Sequence, residues 1–96
     1  MDCVKLYFKD TLIGILTHDK QNERYIFIKN KFFSNKYIED VIGINDNKEV
    51  YYSQDLFSFF FSFLKRYGKE DSANEYQELL RIANLNFDKN QFWIGV

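Results

Sequence analysis

The sequence predicts a small α+β domain, in which an antiparallel β-meander is followed by two to three helices. Residues 4–28 alternate apolar and polar side chains between short polar breaks, as half-buried strands do. Residues 56–64 contain five phenylalanines and no proline or glycine, which favours a helix. Residues 72–83 begin with a helix-capping pattern and continue with apolar residues at helical spacing. Strands first and helices second is the order of an α+β domain.

The composition predicts one domain, residues 1–96, with one hydrophobic core. Thirteen Lys and Arg stand against 14 Asp and Glu, and this balance argues against sequence-independent nucleic-acid binding, which needs a basic face. Cys3 is the single cysteine, so an intrachain disulfide is excluded and a reducing compartment is favoured. The first residues contain no apolar run of signal-peptide length, and charges recur too often for a membrane span. We therefore expect a cytoplasmic protein with no membrane association.

Three strands make up the predicted meander: residues 4–8, 12–16 and 24–28. Asp10 and Thr11 form the first turn, although the glycine that a tight hairpin prefers is missing. Gly14 marks either a β-bulge or a close approach of another backbone. Residues 17–23 are polar and are predicted as a loop.

The middle of the chain carries weaker signals. Residues 32–38 suggest a short helical turn, residues 41–44 an extended apolar run, and residues 45–48 a polar turn. Residues 50–52 are too few to assign.

A central helix is predicted over residues 56–67, capped by Ser53 or Asp55 and stopped by Gly68. At 100° per residue, its apolar side chains fall into two neighbouring stripes that together span roughly 200°. An ordinary surface helix buries a stripe of about 100° or somewhat more. The helix is therefore either sandwiched within the fold or shared with another chain. We assign one stripe to the core (Phe57, Phe60, Phe61 and Leu64) and leave the other nearer the polar side (Leu56, Phe59, Phe63 and Tyr67).

Two later helices are predicted from capping patterns. Ser72 to Glu75 forms a capping box, and the apolar stripe that follows is Tyr76, Leu79, Leu80 and Ala83. Residues 88–91 repeat the capping pattern before a third helix over residues 88–96. The apolar side chains of that helix, Trp93 among them, would be exposed unless they dock.

No motif for catalysis or cofactor binding is present, so we expect neither an enzyme nor a cofactor. His18 is predicted to be exposed in the polar loop, and no His or Cys spacing predicts a metal site. Lys65, Arg66 and Lys69 form the single basic cluster. Such a cluster either complements the helix dipole or, with exposed aromatics, binds RNA, and we favour the dipole interpretation.

A partner surface is the leading explanation for the surplus aromatic residues of the central helix. For the aromatic content of the whole chain, the codon usage of an AT-rich genome is an alternative explanation. Aromatic and arginine side chains dominate the energetics of protein interfaces. We therefore predict that a partner is bound by Phe59, Phe63, Arg66, Tyr67 and Trp93.

The order of these segments resembles the N-terminal subdomain of HipA-type serine/threonine kinase toxins, and more closely its free-standing HipS form in three-gene HipBST toxin–antitoxin systems. That family opens with two strands, the second ending in Val/Ile-Gly-x-Leu, which is similar to residues 13–16. A third aromatic strand and an extended run correspond to residues 25–28 and 41–44. The family motif Leu-x-Pro-Phe-Phe-x-x-Leu-Leu-Pro-Glu-Gly corresponds to the phenylalanine-rich residues 56–64, with Ser58 in place of the first proline.

The resemblance implies a HipA N-terminal-subdomain-like fold and an antitoxin that binds a HipT/HipA-like kinase in trans and holds it inactive. It also implies a HipB-like helix-turn-helix protein as a further partner in a ternary complex. A structural subunit that completes a split kinase without inhibiting it is the alternative. An RNA-binding module ranks third.

Overall fold

The computed structural model describes residues 3–31, 48–69, 74–83, 85 and 87–96. Within these residues the chain forms a small α+β domain, which confirms the predicted class. Its elements, in chain order, are β1 (Val4–Phe8), β2 (Thr11–Asp19), β3 (Arg24–Lys29), β4 (Val50–Ser53), α1 (Ser58–Tyr67), α2 (Glu75–Ile82) and β5 (Phe92–Gly95).

The strands form one antiparallel sheet in the order β4-β3-β2-β1-β5. β1, β2 and β3 are consecutive hairpin partners, which confirms the predicted meander. β4 pairs with β3 on one side, and β5 returns from the end of the chain to pair with β1 on the other. Both outer strands therefore come from the second half of the sequence.

β2 is longer than predicted and continues to Asp19, because Thr17, His18 and Asp19 pair with β3. The polar loop shrinks to a turn in which the Asp19 carboxylate accepts hydrogen bonds from the backbone and side chain of Asn22, at 3.3 and 2.7 Å. Glu23 completes this turn with a positive φ of 51°. The polar composition thus predicts where the turn lies but overestimates its length.

Gly14 combines the two roles that its position predicts. Leu6 pairs with Gly14 whereas Tyr7 pairs with Leu12, so one residue of β2 is extra and forms a β-bulge. A Cβ on Gly14 would lie 2.7 Å from the carbonyl oxygen of Ile28 and would overlap the ring of Phe27. The small residue is required because the neighbouring strand packs against it.

Both helices pack on one face of the sheet and enclose the core. The Phe27 ring of β3 lies 5.8 Å from the Phe60 ring of α1, and the Tyr76 hydroxyl of α2 donates a 3.2 Å hydrogen bond to the Leu16 carbonyl. The largest fully buried side chains are Phe27, Phe60, Leu6, Ile13, Leu16, Leu79, Ile82, Ile94 and Val4.

α1 begins at Ser58, two residues later than predicted, and neither Ser53 nor Asp55 caps it. Its N-cap residue is Phe57, which makes no capping hydrogen bond through its side chain. Leu56 and Phe57 are buried in extended backbone, so core packing rather than a polar cap sets the start of the helix. Gly68 ends α1 as predicted, and its amide donates to the Leu64 carbonyl at 2.8 Å.

α2 has the predicted apolar stripe, with Tyr76, Leu79 and Ala83 buried. Its N-cap is Asn74, whose side chain accepts a 3.1 Å hydrogen bond from the Gln77 amide. The N-cap is therefore two residues later than the predicted Ser72, which itself lies outside the described residues.

The predicted third helix is wrong, because residues 92–95 form strand β5. Asp88 caps a turn instead: its carboxylate accepts from the Asn90 amide at 2.9 Å. In the strand that follows, Phe92 and Ile94 face the helices whereas Trp93 faces away from them. A helix this short would gain few internal hydrogen bonds, and pairing with β1 supplies them instead.

Two other outcomes concern the middle of the chain. The unassigned residues 50–52 belong to β4. The predicted helical turn over residues 32–38, the extended run over 41–44 and most of the turn over 45–48 lie outside the described residues.

Glu78 is a buried charged residue that ties α2 to the end of α1. Its carboxylate accepts hydrogen bonds from Arg81 Nε at 2.7 Å, Arg81 Nη2 at 2.8 Å and the Lys69 amide at 2.6 Å. The Arg81 guanidinium, followed by the Lys69 amide, lowers the pKa of Glu78 from 4.5 to about 2. The connection between the two helices is thus held by an ionised carboxylate.

We expect Gly14→Ala to destabilise the fold by about 1–3 kcal/mol, because the added methyl group overpacks the Phe27 site. Gly95→Ala is the matched control, since a Cβ there would meet Trp93 and Tyr7 at ordinary distances of 3.4 and 3.5 Å. Urea denaturation of both variants measures the difference. Equal losses at the two glycines would contradict the close approach at Gly14.

We expect the contribution of Glu78 to stability to depend on pH. Because its pKa in the folded state is lowered, the stabilisation is complete above pH 4.5 and is lost as the pH falls from 4.5 towards about 2. The difference in unfolding free energy between the parent protein and Glu78→Gln should shrink across that window. The exposed Glu49→Gln variant serves as the control. A difference that stays constant down to the lowest pH would show that Glu78 does not contribute through its charge.

Candidate partner-binding groove

An aromatic groove of about 190 Å³ lies between α1, the turn after residue 87 and the start of β5. We call it the aromatic groove. It is lined by Phe59, Ser62, Phe63, Arg66, Tyr67, Phe87, Asp88, Gln91 and Phe92.

The rings that line the groove pack on one another in a continuous series. Phe59 lies 5.0 Å from Phe92 and 5.6 Å from Phe63, measured between ring centroids. Phe87 then lies 5.8 Å from Phe63 and 5.1 Å from Tyr67. All four contacts are edge-to-face, an arrangement that aromatic rings prefer. Mutual packing therefore holds these side chains in place before any partner arrives.

Four of the five predicted partner-binding residues meet in this groove. Arg66 and Tyr67 are exposed and form its outer rim, and Phe59 is half-buried in its wall. Phe63 is only 8% exposed and belongs to the core, so it forms the floor rather than an accessible edge. A partner could reach Arg66 and Tyr67 directly, whereas Phe63 mainly supports them.

Trp93 lies apart, on the opposite face of the sheet. Its ring stacks on Tyr7 with a centroid distance of 4.2 Å and an interplanar angle of 10°. Its Nε1 donates a 2.8 Å hydrogen bond to the Lys9 carbonyl, and the Lys89 ammonium lies 5.1 Å from the ring centroid. Trp93 and the groove residue Phe92 are neighbours on β5 but face opposite sides.

The assignment of Phe61 to the core is wrong, because Phe61 is 41% exposed. The Lys65 ammonium lies 5.1 Å from the centroid of its ring. Phe60 and Phe63 are the buried residues of α1, so Phe61 falls to one side of the buried stripe. Of the other predicted core residues, Phe57 is buried and Leu64 is half-buried.

Sequence reasoning missed Phe87, which lies outside every predicted element. It also missed Asp88, Gln91 and Phe92, because the capping pattern predicts a helix over residues 88–96. Two signals favour a turn and a strand there. Asp88 and Asn90 are turn formers, and Phe92 and Ile94 alternate with Trp93 and Gly95.

The basic cluster does not converge on one surface. Lys65 and Lys69 line a second groove of about 370 Å³ between α1 and α2, together with Phe61 and Glu78. Arg66 instead lines the aromatic groove. The three cations therefore do not form one continuous platform.

His18 is not in an exposed loop as predicted, but on β2, half-buried and stacked on Tyr25 at 4.6 Å. It lines an open cleft of about 460 Å³ with Tyr25, Gln54 and Glu75. The Tyr25 hydroxyl donates a 3.3 Å hydrogen bond to Glu75, and burial, reinforced by the Glu75 charge, raises the pKa of Tyr25 to about 12. Tyr25 therefore keeps its proton and acts as a hydrogen-bond donor. Within the described residues, no group of three His, Cys, Asp or Glu side chains could hold a metal ion.

The chain matches no protein-family model, no curated protein and no solved structure. None of the described helices has both the length and the hydropathy needed to cross a membrane.

We expect the floor and the rim of the groove to differ in their contribution to stability. Phe63→Ala should cost about 3–5 kcal/mol, since it empties a buried aromatic site. Arg66→Ala, one helical turn away, should change the unfolding free energy by no more than about 0.5 kcal/mol, because its side chain is exposed. Urea denaturation measures both values. A large loss in Arg66→Ala would mean that the rim is structural rather than free for a partner.

Proposed function

We propose that this domain is an antitoxin that binds and neutralises a HipT/HipA-like serine/threonine kinase toxin, with the aromatic groove as its kinase-binding surface. The observation that carries the proposal is the meeting of Tyr67 and Arg66 at the mouth of this groove. The proposed role is that of a cytoplasmic binding protein, without catalysis or a cofactor of its own.

The geometry of the groove suits one large apolar side chain of a partner. Interface hot spots are typically well-packed pockets that accept an anchor residue and are edged by Tyr, Trp or Arg. Here the walls are aromatic and already packed, so little side-chain freedom remains to be lost on binding. The exposed Arg66, together with Asp88 and Gln91, supplies a polar rim that could orient the incoming segment.

One wall of the groove lies in α1, within the segment that carries the resemblance to HipA-type proteins. Residues 56–64 occupy the place of the family's phenylalanine motif and enter α1 directly. Where that motif has Pro-Glu-Gly, this chain has Lys65, Arg66 and Tyr67. Arg66 and Tyr67 of the groove rim therefore lie at positions where α1 departs from the family motif, and we propose that partner choice is determined there. A HipB-like DNA-binding protein is the proposed third member of the complex.

The groove supports protein binding more than RNA binding. Its aromatic side chains pack on one another, and Lys65 and Lys69 line a different groove. A single-strand platform needs cations that follow one backbone path beside exposed rings. Arg66 alone does not provide such a path.

Co-expression with a HipT-like kinase tests the proposal, which expects such a kinase to be encoded beside this gene. We expect the domain to rescue growth and Tyr67→Ala to weaken kinase binding by about 30-fold or more, the effect of losing an interface hot spot of about 2 kcal/mol. Phe61→Ala is the matched control, because Phe61 lies on the same helix and is 41% exposed, as Tyr67 is. It should leave rescue and affinity unchanged.

Persistent growth arrest despite soluble protein would refute the antitoxin role. A kinase assay with purified components separates inhibition from the alternative role as a structural subunit. An inhibitor lowers the phosphorylation rate, whereas a subunit that completes a split kinase leaves that rate equal or raises it.

A further inference from the structure

Strand β5 has one paired edge and one outer edge. In the sheet order it has a single neighbour, β1, and none of the other described strands pairs with it. The Lys9 amide donates a 3.3 Å hydrogen bond to the Gln91 carbonyl just before β5 begins. Because hydrogen-bonded and non-hydrogen-bonded pairs alternate in an antiparallel ladder, Trp93 and Gly95 direct their backbone groups towards β1. The backbone amides and carbonyls of Phe92 and Ile94 therefore point to the outer edge.

β5 itself carries no charged side chain, proline or bulge, which are three of the features that protect edge strands from pairing with another chain. β5 has the sequence Phe-Trp-Ile-Gly, and its register with β1 is regular over all four residues. The strand is therefore suited to accept a further strand.

Apolar surfaces flank this edge on both faces of the sheet. On the helix side, Phe92 lines the aromatic groove beside Phe59 and Phe63. On the other side, Trp93 stacks one face of its ring on Tyr7 and donates a hydrogen bond from Nε1 to the Lys9 carbonyl. The Lys89 ammonium also lies 5.1 Å from the centroid of the Trp93 ring. Successive residues of an added strand would point alternately to these two faces.

We propose that an extended segment of a protein partner pairs with β5 as a sixth strand and places an apolar side chain in the aromatic groove. This inference rests on the proposed function in taking the groove as the partner surface. Backbone hydrogen bonds to Phe92 and Ile94 supply affinity. The aromatic groove and Trp93 contact alternate side chains of the added strand and so select its sequence. This arrangement joins Trp93 to Arg66 and Tyr67 in one binding site, although they lie on opposite faces of the sheet.

The occupant is a partner segment rather than a second copy of this chain. Two copies paired through β5 would bring Phe92 and Ile94 of each molecule to the interface. Ile94 is fully buried in its own core, and Phe92 packs on its own Phe59. A second copy of β5 thus has no side chain free to enter the groove. The segment that fits is extended, with an apolar residue at every second position.

Residue-specific amide exchange, followed by NMR, tests this inference on the unmodified protein. In the free domain, the Phe92 and Ile94 amides should exchange rapidly and the Trp93 and Gly95 amides slowly. Addition of the HipT-like kinase should slow exchange at Phe92 and Ile94 by about tenfold or more. A second probe is the capped peptide Thr-Leu-Thr-Phe-Thr-Leu-Thr, which should give the same protection at saturation.

Two N-methylated versions of that peptide form the control, one methylated at its Thr residues and one at its apolar residues. Each version keeps every side chain, but its N-methyl groups remove the hydrogen-bond donors along one edge of the peptide strand. The version methylated on the edge that pairs with β5 should therefore bind about tenfold or more weakly. If both bind like the parent peptide, pairing with β5 is refuted.

The outcomes separate this inference from the proposed function. Kinase binding without protection of Phe92 and Ile94 overturns the added strand and leaves the antitoxin role intact. Peptide protection without kinase binding supports the added strand and counts against the antitoxin role. Protection that rises with the concentration of the domain alone assigns the edge to a second copy and overturns the inference.

Discussion

The pairing of β5 with β1 is the interaction on which the rest of the domain depends. α1 and α2 lie between β4 and β5 in the chain, while β4 and β5 lie at opposite edges of the sheet. The segment that holds both helices must therefore cross the whole sheet, and the helices cover one face as it does so. Ile94 anchors the crossing because it is fully buried opposite Leu6. The aromatic groove is a product of the same closure, since Phe92 of β5 forms its wall against Phe59 of α1.

The local parts of this fold were predictable, and the long-range closure was not. The meander follows from the alternation of residues 4–28, and Gly14 marked its own bulge because a glycine inside an apolar strand needs a packing reason. Both helices also followed from apolar spacing. Strand β5 did not, because four apolar residues after a capping-like turn are compatible with either state. The choice depends on a partner strand that lies more than 80 residues earlier in the chain.

The sequence predicts most of the α1 residues that form the candidate site, but it does not predict which of their side chains face the core. Two neighbouring stripes of phenylalanine have the same hydrophobicity, so the sequence could not decide which one faces the sheet. The structure turns Phe63 inwards and Phe61 outwards. The reason lies outside α1: the ring of Phe87 packs on Phe63 and Tyr67 and completes the core there. Which aromatic side chains of α1 remain accessible thus depends on packing against residues outside the helix, such as Phe87 and Phe27.

A nearly neutral protein with an aromatic surface suits recognition through the backbone and a few side-chain pockets. Net charge of −1 provides little long-range attraction for a partner, so affinity must come from close contact. An unpaired strand edge supplies directional hydrogen bonds that any extended segment can satisfy. In the proposed complex, selectivity then comes from the side chains beside that edge, which are the aromatic groove on one face and Trp93 on the other. Since Trp93 and Phe92 are consecutive residues, one short strand places both sets of contacts along a single line. The proposal thus divides the surplus of aromatic residues between those that close the core and those that contact a partner along that line.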